Sequence, residues 1–388
     1  MVIFNNAGTK LSSVLKARSG GEYYPKKIFL GIIFFGLVCR IYISFFSALP
    51  NIHTDSIDYF TQADALLKGG YINFFPNGYP FIVALIKTCF GGSFVTVLLW
   101  LNILMSVLII YFTYNIAKKI SGRETIALIA AFIVAFFPSQ INYVRWLMTE
   151  VPTTFFLLGA YYFYYNQKKW WAGIFLGIAT LVRTEILPIL LLLLLMDTIN
   201  LKKVSFSLLT GSLLPLLLLG SYCYLKTGEF SLAGHGRFNI LASITASGSH
   251  VDWHYSDKHP EYNTNAKAVN LYLTTFKNAP IQFIKNRLAN LWELWGFYAS
   301  TSTSGRGVAT RIAIGLGNFF LIAFGLPAWW RNRKNYEVLI LIIPFAIITI
   351  VHIIYFAMQR YTYPVEPFMI ILSAFSLYHL FKKTGIKI

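Results

Sequence analysis

Apolar runs of about 20 residues recur along the chain from residue 27 onward, divided by short polar breaks. A helix of that length is about 30 Å long, the depth of a bilayer core. The pattern predicts ten spans, at about 27–47, 93–117, 125–141, 148–166, 170–183, 186–200, 204–225, 311–330, 337–356 and 364–381. Only Arg183-Thr184-Glu185 separates the fifth from the sixth. Two connections are long, 48–92 and 226–310. Both contain helical amphipathic stretches. In the first, Asp55, Asp58, Tyr59 and Gln62 share one face of a helix, opposite Ile57, Phe60 and Leu67, with Thr54 placed to cap its start. GGYINFFPNGYP then supplies glycine and proline turn signals before the next helix. In the second, residues 278–298 alternate Phe283, Leu288, Leu291, Trp292 and Trp295 with Lys285, Arg287, Asn290 and Glu293. That pattern fits a helix lying in the membrane interface, and also a core helix of a compact outer domain.

Charge placement gives the spans a direction. Basic clusters precede span one (Lys10, Lys16, Arg18, Lys26, Lys27) and follow span two (Lys118, Lys119, Arg123). Others follow span four (Lys168, Lys169), span six (Lys202, Lys203), span eight (Arg331, Arg333, Lys334) and span ten (Lys382, Lys383, Lys387). With ten spans and both termini cytoplasmic, every cluster falls on one side, as the positive-inside rule requires. Residues 1–26 then form a cytoplasmic tail, 27–388 form the transmembrane domain, and both long connections face outward.

Composition agrees. The 388 residues are 56% hydrophobic and 12% charged, with mean hydropathy +0.58. A soluble domain carries about 25% charged residues. The net charge of +18 would suggest nucleic acid in a soluble protein; here it is topology signal, and no nucleic-acid partner is expected. The first apolar run is too long for the core of a cleavable signal peptide. Cys39, Cys89 and Cys223 sit in or beside apolar runs and read as small apolar fillers.

Acids and bases gather on the outward side. Asp55 and Asp58 follow span one, and Arg145 and Glu150 flank the turn of VRWLMTEVP. Arg183 and Glu185 occupy the turn of LVRTEILP, Arg360 lies in MQRYTYPVEP, and Glu366 is one turn into span ten. Arg40, in the outer half of span one, is expected to reach the same way. A single such arginine can snorkel to lipid headgroups. Acids and bases from several connections on one side favour a shared polar site, and three arginines suit a phosphate or diphosphate. A helix-start dipole also accounts for Asp55 and Asp58, without excluding chemistry.

In these segments the chain resembles the GT-C membrane glycosyltransferases, in the branch of the protein O-mannosyltransferases and lipid A aminoarabinose transferase (glycosyltransferase family 39-like). DSIDYFTQADALLKGG with PNGYPFIVALI is similar to the family's Asp-led first outer loop and Pro-Gly-Tyr-Pro helix entry. MTEVPTTFFLLGAYYFYY is similar to its Thr/Ser-Glu-x-Pro helix start, and QRYTYPVEPFMIILSA to its Arg-Tyr-x-x-Pro-x-x-Pro segment. GIFLGIATLVRTEILPILLLLLL is similar to its glycine-rich helix ending in arginine, with Thr184 where the family often has proline. The resemblance implies an all-α polytopic GT-C fold and an isoprenoid (polyprenyl) phosphate sugar as donor, used on the outer face. It carries the family's catalytic acid onto Asp55; Asp58 holds a less fixed position. Some relatives have a large soluble C-terminal domain; without it, acceptor selection falls to 226–310.

The expected reaction is inverting transfer of a sugar, hexosyl or pentosyl, to a cell-envelope glycan, lipid or protein acceptor. Asp55 is the expected base, with Asp58 as second carboxylate. Arg183, Arg360 and Arg145 bind the donor phosphate; Glu150, Tyr59 and Tyr361 orient these groups or touch the acceptor. The expected location is a bacterial plasma membrane with the site on the periplasmic or extracellular side. The alternative is a transporter or flippase for the same lipid-linked sugar, although the chain shows no internal repeat of the transporter kind. The residues call for no particular cofactor and leave metal use open: Asp55 with Asp58 could hold a divalent cation, a reading ranked below a metal-free base. His250, His254 and His259 in SHVDWHYSDKHP have no recognised ligand spacing and are expected to make ordinary polar contacts.

Overall fold

The computed structural model describes residues 7–47, 52, 54–296 and 308–384, with side chains from Tyr24 onward. These residues are helical, without a β-strand. Helix α1 (Ala7–Phe45) leads into the first long connection, which holds α2 (Thr54–Leu67) and α3 (Gly78–Phe90). Then come α4 (Phe94–Ser121), α5 (Glu124–Phe136), the short α6 (Pro138–Asn142) and a 3-10 turn, Tyr143–Arg145. Next are α7 (Glu150–Tyr165), α8 (Lys169–Val182), the turn Thr184–Ile186, α9 (Leu187–Leu201) and α10 (Phe206–Thr227). The second long connection holds α11 (Gly236–Thr245), α12 (Tyr255–Lys258), α13 (Asn265–Asn278) and α14 (Pro280–Trp295). Helices α15 (Val308–Asn332) and α16 (Tyr336–Ile354), the turn Gln359–Thr362 and α17 (Glu366–Lys383) follow.

Each expected span meets a helix. Among the described residues six helices are long and apolar enough to cross a membrane on their own, or seven with one broken pair. The expected number of ten is therefore not reached on length and composition, because several helices are short. Helix α5 has 13 residues, α8 has 14 and α7 has 16, against about 20 for a full crossing. Helix α5 stops because Pro138 follows, and the pair bends by 52°. The carbonyls orphaned there find a donor in Arg40. Its Nη1 donates to the Ala135 carbonyl (2.9 Å) and its Nη2 to that of Val134 (3.3 Å), while Nε donates to Ser106 Oγ (2.6 Å). Arg40 thus caps a broken helix inside the bundle, which answers the cost of burying its charge there.

Small residues set the closest helix contact. Along α8 and α10 the backbones approach until a Cβ on Gly173 would lie 2.3 Å from the Leu208 carbonyl oxygen, and one on Gly211 would lie 2.2 Å from that of Trp170. Only glycine permits this packing. Helix α17 is buried on every side from Glu366 to Ser376 and forms the axis of the bundle. At the end of the bundle away from Glu366, helices are tied by ion pairs. Buried Asp197 accepts from Lys169 Nζ (2.8 Å) and Tyr164 Oη (2.6 Å). Lys118 pairs with Glu124 (2.6 Å).

Both loop helices turn an unexpected way for a soluble protein. On α2, Tyr59 and Gln62 are buried while Ile57 and Leu67 are exposed. On α14, Arg287, Asn290 and Glu293 are buried, whereas Ile281, Ile284, Leu288 and Trp292 are exposed. Of the apolar set expected on α14, Phe283 and Trp295 are buried and Leu291 half-buried. Polar faces inward and apolar faces outward suit a membrane interface and rule against α14 as an ordinary core helix. The inward polar groups have defined work. Arg287 donates to the carbonyls of Ile354, Tyr355, Ser243 and Ala246, closing the C-terminal ends of α16 and α11. Helix α2 begins at Thr54 itself; the side chain expected to cap it lies outside the described residues.

Candidate active site

Four connections deliver charged side chains to one place. Asp55 sits in the first turn of α2. Glu150 opens α7, where its charge favours the helix N-terminus, and Pro152 is tolerated in the first turn. Arg183 caps the end of α8 in an extended conformation, and Glu185 follows in the 3-10 turn before Pro188 starts α9. Arg360 lies on the 3-10 turn between α16 and α17. The PNGYP segment locks the assembly. A Cβ on Gly78 would lie 2.5 Å from the Leu181 carbonyl, so α3 starts in backbone contact with the end of α8, two residues from Arg183. Gln62 holds the intervening loop: its Nε2 donates to the Phe75 carbonyl (3.1 Å) and its Oε1 accepts from Phe75 N–H (3.0 Å).

The result is a chain of alternating charges. Arg360 Nη2 donates to Asp55 Oδ2 at 2.8 Å. Glu150 Oε1 lies 3.8 Å from Arg360 Nε and 3.7 Å from Arg183 Nη1. Arg183 Nε reaches Glu185 Oε1 at 2.8 Å, and Glu185 Oε2 reaches His352 Nε2 at 3.0 Å. Tyr361 lies beneath both arginines, whose guanidinium carbons are 4.9 Å (Arg183) and 5.4 Å (Arg360) from its ring centre. His352 stacks on the same ring at 4.2 Å. Glu150 is 3% exposed and Asp55 28%, so the row runs from the protein interior to the mouth.

Six of the expected residues thus meet: Asp55, Glu150, Arg183, Arg360, Tyr59 and Tyr361. Tyr59 is buried under α2 against Phe75 and Tyr79. Burial first, then the charges of Asp55 and Glu150, push its hydroxyl pKa up, so it remains a neutral donor. Asp58, one turn beyond Asp55, is exposed and pairs with neither arginine of the row. Partial desolvation, then the like charge of Asp55, raise its pKa. Arg145 is buried on its own turn, its guanidinium 5.8 Å from the Trp146 ring. Glu366 turns toward α6 and its own turn, accepting from Ser139, Gln140 and Thr362. His352 was not foreseen. A lone histidine near the end of the apolar run LIIPFAIITIVHII was its only signal.

Among the described residues no group of three or more His, Cys, Asp and Glu side chains converges as a metal site. Asp55 faces an arginine instead of Asp58. His254 and His259 turn to Asp257 (3.3 Å) and Glu261 (3.0 Å), the ordinary contacts expected of them.

Comparison with known proteins bears on this geometry. Residues 76–221 match the family described as dolichyl-phosphate-mannose-protein mannosyltransferase. Comparison with curated proteins finds no match. The fold is similar to that of the Archaeoglobus fulgidus oligosaccharyltransferase in the apo form, with TM-score 0.57, 14% identity, and coverage of 92% of this chain and 51% of that one. It is similar to AglB of the same organism in complex with an inhibitory peptide and a dolichol-phosphate, with TM-score 0.53, 14% identity, and coverage of 94% and 51%. It is also similar to ArnT from Cupriavidus metallidurans bound to undecaprenyl phosphate, with TM-score 0.52, 14% identity, and coverage of 93% and 60%. The chain spans about half the length of the two archaeal structures. With six helices long and apolar enough to cross a membrane among the described residues, the chain is an integral membrane protein, and its fold is similar to that of these membrane enzymes.

Proposed function

We propose that the protein transfers a sugar from an isoprenoid phosphate donor to a hydroxyl-bearing glycan, lipid or protein acceptor on the face where Asp55 lies. The carrying observation is the pairing of two arginines with carboxylates from separate connections, open to the surface at Asp55. Guanidiniums in that arrangement can take a phosphate in place of a carboxylate, since both present paired oxygens. Undecaprenyl phosphate bound to ArnT and dolichol-phosphate bound to AglB support this ligand class for the fold.

In the proposed reaction the acceptor oxygen attacks the anomeric carbon as the bond from that carbon to the phosphate oxygen breaks. The acceptor proton goes to Asp55, and the charge left on the lipid phosphate is met by Arg183 and Arg360. A single displacement inverts the anomeric centre. Glu150 sets the spacing of the arginines, and Tyr361 supports them from below. The face is assigned as the outer one from the basic clusters, which collect at the opposite ends of the helices.

The test is transfer from a purified isoprenoid phosphate sugar by solubilised protein. Asp55→Asn is expected to lower turnover by roughly two to four powers of ten with donor affinity retained or improved. Arg360→Ala is expected to weaken donor binding. Full transfer by Asp55→Asn would remove the base from the scheme, and unchanged donor affinity in Arg360→Ala would remove the phosphate site.

A further inference from the structure

A second basic site lies at the far end of the bundle. Helix α17 runs from Glu366, beside the Arg360 turn, to Lys383, 18 residues on. At 1.5 Å per residue its far end is about 27 Å from the candidate active site, close to one hydrocarbon thickness. There α15 and α17 part around a cleft of about 250 Å³. Its floor is mostly apolar: Ala323 and Pro327 put no long side chain into the gap, Phe324 and Leu380 wall it, and the one hydroxyl, Ser376 Oγ, donates to the Phe324 carbonyl (2.7 Å). Its rim carries Arg331, His379 and Lys383 and no acid.

The charge accounting at this end is uneven. Lys118 has Glu124, and Lys169 has Asp197. Arg123 donates to Tyr378 Oη (2.5 Å) and lies over its ring. Arg333 lies over the Trp330 ring at 3.8 Å. Among the described residues, Arg331 and Lys383 have no hydrogen-bond, ion-pair or ring partner; Lys119, Lys334 and Lys382 have none either, but they do not line the cleft. Two unpaired cations on opposite helices thus overhang an apolar floor. Beside them Trp330 is exposed, a residue type that settles at the headgroup level.

We propose that this cleft binds an anionic diacyl phospholipid, its phosphodiester between Arg331 and Lys383 and the start of one acyl chain against Phe324 and Leu380. The apolar floor is what selects lipid over a free anion. A basic recess between transmembrane helices is the form such headgroup sites take. This proposal does not rest on the transfer reaction; a protein without transferase activity would carry the same site.

The experiment is native mass spectrometry of the solubilised full chain, with phosphatidylglycerol and phosphatidylcholine added at equal concentration. The parent protein is expected to retain phosphatidylglycerol preferentially. The double variant R331A/K383A is expected to lose occupancy roughly 30-fold, about fivefold per cation. The charge-conserving R331K/K383R should keep most of it, and K202A/K203A, cations at another loop, should keep all of it. Both changed side chains are exposed, and an unchanged thermal midpoint in R331A/K383A would show the fold intact. Equal phosphatidylglycerol occupancy in R331A/K383A and parent overturns the proposal. Equal retention of phosphatidylcholine by the parent also overturns it. Displacement of the lipid by inorganic phosphate at matched concentration would show an ion site and overturn the lipid assignment.

Discussion

Glu150→Gln separates the roles of the three carboxylates. Glu150 is the most buried of them, and its Oε1 stands between two guanidiniums at 3.7 and 3.8 Å. Glutamine keeps the shape and removes the charge. Stripping one partner from a buried ion pair costs about 3–5 kcal/mol when the other charge is left alone. Here neither arginine is left alone, since Arg183 keeps Glu185 and Arg360 keeps Asp55, each at 2.8 Å. The stability loss should therefore fall below that range, at about 2 kcal/mol. The effect on an incoming phosphate has the opposite sign. A phosphate oxygen about 3 Å beyond an arginine would lie about 7 Å from Glu150, where two like unit charges repel by roughly 2 kcal/mol at an effective dielectric of about 20. Solvent entering beside Asp55 weakens this, which leaves about tenfold tighter binding of a short-chain isoprenoid phosphate. The assay is direct binding of that phosphate to solubilised protein, with thermal unfolding in parallel. If Glu150→Gln instead binds tenfold more weakly, as removal of an arginine should, then Glu150 contacts the donor or fixes the arginines by more than charge, and the electrostatic argument fails.

Two further outcomes follow from the same geometry. Arg287→Ala strands buried carbonyls at the ends of α16 and α11 and should cost roughly 3–5 kcal/mol, whereas Lys285→Ala on the exposed side should cost almost nothing; equal thermal midpoints would refute the capping role. A cysteine at Lys258, in the second long connection, should react with an impermeant reagent from outside intact cells, and one at Ile120 should not; the reverse pattern would invert the assigned topology.

The sequence was most informative where physics is local. Proline, glycine and charge at PNGYP, MTEVP, LVRTEILP and QRYTYP marked the turns that carry Glu150, Arg183 and Arg360, because such residues cannot lie against lipid without a partner. Helical periodicity placed Asp55 and Tyr59 on one face; the structure buries Tyr59 and Gln62 of that face, half-buries Asp55 and leaves Asp58 in solvent. Span lengths were less legible. Helix α5 is cut short by Pro138, and its loose carbonyls are met by Arg40, a long-range contact between residues 95 apart that no periodicity reveals. Arg40 was expected to reach for the outer surface and instead serves this break. Arg145 and Asp58 passed the same test of charge near a turn as the residues that converge. What sets them apart is side-chain direction: Arg145 lies over Trp146, and Asp58 faces solvent. His352 was hidden for the same reason, since its partner Glu185 comes from a distant turn.

The resting pairs bear on the order of events in the proposed reaction. Buried guanidiniums without counter-charge would be costly, so the site must be balanced before a phosphate arrives. Asp55, Glu150 and Glu185 supply three negative charges to the two arginines. An entering phosphate adds more, and one carboxylate has to yield. Glu150 and Glu185 are packed at helix junctions, but Asp55 is the most exposed of the three and rides on a surface helix with its polar face inward. It is the group that can let go. On this argument the contact from Arg360 Nη2 to Asp55 holds the place of the phosphate, and donor binding releases the carboxylate. While Arg360 Nη2 holds Asp55 Oδ2, that oxygen is not open to an acceptor hydroxyl; once released beside the anomeric carbon, it is. The ion pair would thus keep the carboxylate occupied until the donor is in place. Asp55→Asn should then bind donor at least as well as the parent while failing to transfer. A variant that bound it much more weakly would mean that Asp55 itself touches the donor, and the displacement argument would fall.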